Sequence, residues 1–129
     1  MPYSSPSEVE LQVLSVLWER GPSLVHDVRD SMPDGKDRAY TTVLTVLQNL
    51  EKKGLVTHRQ QGQANVYRAV HKRQQVLRPL MKDMLAHVFG NSPSQVLQCL
   101  LDSTRVDADE LEEIRRVLVE ATKKRSGSK

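Results

Sequence analysis

Apolar and polar positions alternate along the chain with two different periods, and the change of period marks its organisation. Val9, Leu11, Val13, Leu14, Val16, Leu17 and Trp18 crowd one side of a predicted helix that stops at Gly21-Pro22. Ser7 stands three residues before Glu10, a spacing in which each side chain satisfies the other's backbone N–H. A shorter helix follows, with Ser23 as the expected cap and Leu24, Val25, Val28 and Met32 as its apolar residues. Pro33-Asp34-Gly35 carries turn chemistry and ends it. A third helix is predicted from about Tyr40 to Lys53, with Val43, Val46, Leu47 and Leu50 as a single stripe and Gly54 as its left-handed cap. After Gly54 the period shortens. Residues 55–59 and 65–70 read as two strands joined by the polar stretch 60–63.

From His71 the helical period returns. Val76, Leu77, Leu80, Met81, Met84, Leu85 and Val88 make a stripe ending near Gly90-Asn91. Ser92 or Ser94 can start a helix through Val96, Leu97, Leu100 and Leu101. Asp107 and Glu110 box the start of a last helix seamed by Leu111, Ile114, Val117 and Leu118. The expected fold is mainly α with a small β-hairpin: a winged helix-turn-helix over residues 1–70, then a three-helix dimerisation domain over 71–122. Residues 123–129 are small and basic and are expected to be disordered. Three amphipathic helices with so few aromatic residues among them gain by packing against a second copy. Leu80, Met84, Leu97, Leu100, Leu111, Ile114 and Leu118 are the expected contact residues.

Charge sharpens this picture. The net charge of the 129 residues is only +3. Residues 36–82, however, hold ten Lys and Arg against Asp37 and Glu51, or +8, between segments of −4 (1–35) and −5 (83–122). Such a block suits a polyanion, most often nucleic acid, although a solvated basic surface has the same composition. The third helix is the one that a helix-turn-helix lays in the major groove. Its outer side carries Thr41, Thr42 and Thr45, whose hydroxyls and methyls suit base edges, with Gln48 and Asn49 further along. Three Thr on an exposed helix bring no gain in helix stability, yet a polar outer face is also the ordinary state of an amphipathic helix. Lys36, Arg38, Lys52, Lys53 and Arg59 are candidates for phosphate contacts. Tyr40 can bond a phosphate or pack its ring against the wing.

Ala39-Tyr40-Thr41-Thr42-Val43, Leu47 and Leu50, Lys53-Gly54-Leu55, and Gly62-Gln63-Ala64-Asn65-Val66-Tyr67 stand here in a familiar order. Together with 13–18 and Gly21 they resemble the BlaI/MecI-type penicillinase repressor family over about residues 7–122. The resemblance implies a homodimeric repressor that binds palindromic double-stranded operator DNA. It also implies a membrane-bound sensor protease that detects β-lactam and leads to cleavage of the repressor. It places Thr41, Thr42 and Thr45 in the reading helix and Gly62 and Gln63 at the wing. The chain departs from the family pattern at Gln63 and near Asn49, where basic residues are common. It departs again at Gln98-Cys99, which stands where penicillinase repressors have the cleaved Asn-Phe bond. The paired cysteines of the copper-responsive branch are missing, since Cys99 is the only cysteine.

Other classes fit less well. His26, His58, His71 and His87 stand in no triad spacing, and no glycine-rich phosphate loop is present, so no enzyme, cofactor or metal is expected. His26 and Asp30 are placed for a surface ion pair rather than a metal site. Cys99 reads as a core residue, with a redox-sensing thiol as the alternative. No apolar run approaches the roughly 20 residues that cross a bilayer. The opening MPYSSPSEVE lacks the features of a secretory signal, so a cytoplasmic protein without direct membrane binding is expected. A winged helix that binds protein, or one that senses a ligand directly, is the alternative function. The adaptor has no need of the +8 block.

Overall fold

A computed structural model describes residues 6–33 and 35–127. The order is α1 (Glu8–Arg20), α2 (Val25–Ser31), a 3₁₀ turn (Gly35–Asp37), α3 (Tyr40–Lys52), β1 (Val56–Gln61), β2 (Ala64–Ala69), α4 (Arg73–Val88), α5 (Pro93–Ser103) and α6 (Ala108–Gly127). This is the expected mainly helical chain with one antiparallel hairpin, and its first part is a winged helix-turn-helix. Asp34 of the expected turn lies outside the described residues.

Local chemistry accounts for the helix ends. Ser7 Oγ accepts the Glu10 N–H at 3.2 Å and Glu10 Oε1 accepts the Ser7 N–H at 2.8 Å, closing the box that starts α1. At the end of α3, Gly54 takes φ +79°, and its N–H donates to Glu51 O at 3.0 Å. The next N–H, of Leu55, donates to Leu50 O at 2.9 Å, completing a Schellman motif with both leucines fully buried. Ser92 Oγ caps α5 above Pro93, and Asp107 Oδ1 accepts the Glu110 N–H at 2.8 Å to start α6.

Ser23 corrects the sequence reading. The residue before α2 is Leu24, with no side-chain cap, and Ser23 lies buried in an extended bridge to β2. Its N–H donates to Tyr67 O at 2.9 Å and its carbonyl accepts the Tyr67 N–H at 2.8 Å, while its hydroxyl donates to Gly21 O. Ser23 thus adds a short third rung to the hairpin, and this pairing is satisfied across 44 residues of chain rather than within a helix.

The hairpin pairs Val56 with Ala69 through Gln61 with Ala64, so Gly62 and Gln63 alone make the turn. Opposed residues share a face. Val56, His58, Gln60, Asn65, Tyr67 and Ala69 lie on one side, and Thr57, Arg59, Gln61, Ala64, Val66 and Arg68 on the other. The first side joins the core, where Val56 and Tyr67 are buried with Val13, Leu14, Leu17, Val28, Val43, Leu47, Leu50 and Leu55.

The chain divides into two compact units, Met1–Lys82 and Asp83–Lys129. The first runs past the hairpin, where the pattern suggested a break at residue 70, because Val76 of α4 is 2% exposed in that core and Leu80 packs against it. The second has no buried residue among those described. Its helix α6 continues to Gly127, so Lys123–Gly127 are helical where disorder was expected; 128–129 lie outside the described residues. Cys99, expected in a core, is exposed on α5, with its sulfur 3.8 Å from Ser103 Oγ. Among the described residues no helix is long and apolar enough to cross a membrane.

Candidate nucleic-acid interface

The core stripe of α3 is Val43, Leu47 and Leu50. Advancing about 100° per residue, Thr41, Thr45, Gln48 and Lys52 fall in a line on the opposite side, with Thr42 and Asn49 beside it. All six are exposed. Among the described residues, the side-chain hydrogen bond in this line runs from Thr45 Oγ1 to Thr41 O at 2.9 Å. The Thr45 hydroxyl therefore turns its proton inward and offers an oxygen lone pair and a methyl outward.

One flank of α3 faces the hairpin. Tyr40, 46% exposed, stands with Leu44 beside Gln63, Ala64 and Asn65 and near Leu24, Val25 and His26 of the α2 region, around an opening of about 260 Å³. Its ring thus lies at the opening between α3 and the wing. Further along the same flank, Gln48, Glu51 and Lys52 border a cleft of about 510 Å³ with His58, Asn65 and Tyr67 on the hairpin. Glu51 holds His58 there: Nδ1 lies 2.7 Å from Oε1 and 2.9 Å from Oε2. The imidazole also packs on Tyr67 with ring centroids 5.1 Å apart. Burial, followed by the Glu51 charge, pushes the Tyr67 phenol above its ordinary range, so it is neutral at physiological pH.

The predicted phosphate-binding residues are not all in one place. Lys52 is exposed on the outer line of α3, whereas Lys53 turns away and its ammonium lies 2.7 Å from Glu10 Oε1. Glu10 is 7% exposed and accepts both this bond and the Ser7 N–H. Burial raises the cost of ionising it, but the Lys53 hydrogen bond, the Ser7 N–H and the Lys53 charge outweigh that and hold its carboxyl below the usual range. Arg59 is exposed on the hairpin side opposite His58 and Asn65. Lys36 lies in the 3₁₀ turn and Arg38 directly after it, before the N-terminus of α3. Gly62, at φ +67°, and Gln63 form the exposed tip of the hairpin. His26 pairs with Asp27, Nε2 to Oδ1 at 3.3 Å, and not with the expected Asp30, whose oxygen is 3.5 Å from Arg29.

Sequence reasoning gave no role to His58, Glu51 or Asn65. His58 and Asn65 had only period-two placement in the strands as a signal and Glu51 only its place late in α3; the pairing of Glu51 with His58 depends on how α3 docks on the hairpin.

The expected dimer residues lie on the C-terminal helices. Met84 is 50%, Leu100 56%, Leu111 47% and Leu118 50% exposed, Leu97 and Ile114 are half-buried, and Leu80 packs instead on the N-terminal core. Gln98 and Cys99 are exposed in the middle of α5.

Comparison with known proteins places these features in a family. The model of the penicillinase repressor family matches residues 6–120. The transcriptional regulator BlaI of Mycobacterium tuberculosis is 39% identical over 114 residues, which is 88% of this chain and 82% of that protein. The penicillinase repressor of Bacillus licheniformis is 21% identical over 114 residues, 88% of this chain and 89% of its own length. A solved homodimeric winged helix-turn-helix DNA-binding domain from Mycobacterium bovis is 23% identical, with a TM-score of 0.44 over 67% of this chain and 77% of that one.

Proposed function

The chain belongs to the penicillinase repressor family, a family of transcriptional regulators rather than enzymes, and from that premise we propose that it is a homodimeric repressor of palindromic operators. The observation that carries the reading is the outer line of α3: Thr41, Thr45, Gln48 and Lys52, all exposed, directly opposite the core stripe and continuous with the wing. In this reading α3 enters the major groove. Thr41, Thr42 and Thr45 contact bases, Lys52 meets a phosphate, and Arg38 and Arg59 add positive charge. Gly62 and Gln63 approach the adjoining groove.

Dimerisation places two such surfaces on one duplex. The apolar residues exposed on the end of α4 and on α5 and α6, in a unit with no buried residue among those described, support a second copy as their cover. A membrane-bound sensor protease responds to β-lactam, and cleavage at Gln98-Cys99 separates the dimer. That bond lies inside helix α5, so α5 opens locally before it is cut. The protein itself works in the cytoplasm on DNA.

The test is fluorescence anisotropy on fragments from upstream of the protein's own gene, against random duplex at two salt concentrations. Saturable binding with two protomers per site and clear preference over random duplex is the expected result. Equal binding on both that vanishes with salt would overturn sequence-specific repression.

A further inference from the structure

The cleft between α3 and the hairpin holds an arrangement that the DNA-reading face does not require. His58 Nδ1 is clamped by both oxygens of Glu51, at 2.7 and 2.9 Å, and the ring is braced on Tyr67. A carboxylate accepts, so Nδ1 carries the proton even in the neutral ring. Nε2 is then the site that gains or loses a proton, and among the described residues it has no hydrogen-bond partner. The ring is 36% exposed and lines the cleft beside Gln48 and Lys52, which belong to the outer line of α3.

We propose that His58 is a proton-dependent contact to the DNA backbone, oriented by Glu51, so that affinity for duplex rises as the solution becomes more acidic. The inference rests on the DNA-binding reading above. With Nε2 bare, a lone pair and the Glu51 charge face any phosphate at the cleft mouth, and Lys52 alone attracts it. With Nε2 protonated, the ring donates a charge-assisted hydrogen bond to a phosphate oxygen, and its charge cancels that of Glu51. The charged and titratable groups around the ring are Glu51 and Lys52 from α3 and Tyr67 from β2, with Arg59 next in β1 on the opposite side of the hairpin. Tyr67 stays neutral throughout this range.

A phosphate contact carries no sequence information, so the probe is a random-sequence duplex, bound by the full-length protein at low salt. Between about pH 8 and about pH 6, the interval in which histidine changes charge, affinity is expected to rise about three- to ten-fold. The salt slope should steepen by about 0.9 for each phosphate engaged. His58→Gln isolates this ring from the other histidines of the chain, because it should flatten most of the rise. Glu51→Gln keeps a hydrogen-bond acceptor but removes the charge, and it should move the midpoint of the pH profile to lower pH. An unchanged profile in His58→Gln overturns the contact, and an unmoved midpoint in Glu51→Gln overturns the positioning role. Binding without pH dependence in the parent protein removes this inference while leaving the DNA reading intact. No binding to random or upstream duplex at either pH removes both.

Discussion

In the proposed base-reading role, Thr45 is limited by a single hydrogen bond. Its proton is committed to the Thr41 carbonyl, so toward DNA it is an acceptor with a methyl. It suits the exocyclic amino groups of adenine and cytosine, or the thymine methyl. Thr45→Ala is expected to narrow the difference between operator and random duplex by about 1–2 kcal/mol, measured as the ratio of the two dissociation constants. Thr45→Val keeps the methyl and tells the two contacts apart. Lys52→Ala should act differently, weakening both duplexes alike and lowering the salt slope by about 1. Glu10 belongs to stability rather than reading. Its carboxyl titrates lower in the folded protein than in the unfolded chain, whose value is about 4.3, so its contribution is complete above that pH and is lost as the pH falls below it. Glu10→Gln is expected to cost about 1–3 kcal/mol at neutral pH. The stability of the variant should also fall less on acidification than that of the parent protein, as thermal melts followed by circular dichroism at several pH values would show. Of this network the box from Ser7 to Glu10 was legible in four consecutive residues. The partner Lys53 was not, because 43 residues separate it from Glu10.

At the scale of elements, the helices were written in the chain and the pairings between elements were not. The end of α3 follows from Lys53-Gly54-Leu55, since a left-handed residue there closes the last carbonyls locally. The Ser23 bridge could not be read in this way. Ser before an apolar run is a good cap by pattern, and the extended conformation wins because Tyr67 supplies both a donor and an acceptor from β2. The same holds for the turn after α2. Gly35 looked like turn punctuation, yet a Cβ at that position would lie 1.7 Å from Arg29 O, so only a glycine lets the chain pass this close to the α2 backbone. Gly35→Ala is expected to destabilise the protein by about 2–3 kcal/mol, read from the urea midpoint. Because the 3₁₀ turn leads into α3, the variant should also bind DNA more weakly than its loss of stability alone accounts for.

The whole molecule presents two unequal parts. The winged helix has a closed core, while the apolar residues of α5 and α6 remain exposed in a single chain. Covering a Leu side chain stabilises by roughly 1.5–3 kcal/mol, and a twofold dimer covers it twice. Leu118→Asp is therefore expected to weaken self-association by on the order of a hundred-fold or more, measured by sedimentation equilibrium. A dimer that persists unchanged would remove Leu118 from the interface. The loss of dimer should lower operator affinity more than affinity for random duplex, since only the specific site rewards two reading helices held together.

The helices, the hairpin, the exposed threonines of α3 and the basic middle of the chain were already fixed by the order of the residues. These depend on periodicity, capping and charge, which act within a few residues of their cause. Packing of distant segments instead brings Ser23 to β2, sets Lys53 against Glu10, puts Arg59 on the opposite side of the hairpin from His58, and joins Glu51 of α3 to His58. Each depends on two segments meeting across a core. Local patterns report how far a residue is from its neighbours along the chain, and a shared core decides which distant residues become neighbours in space.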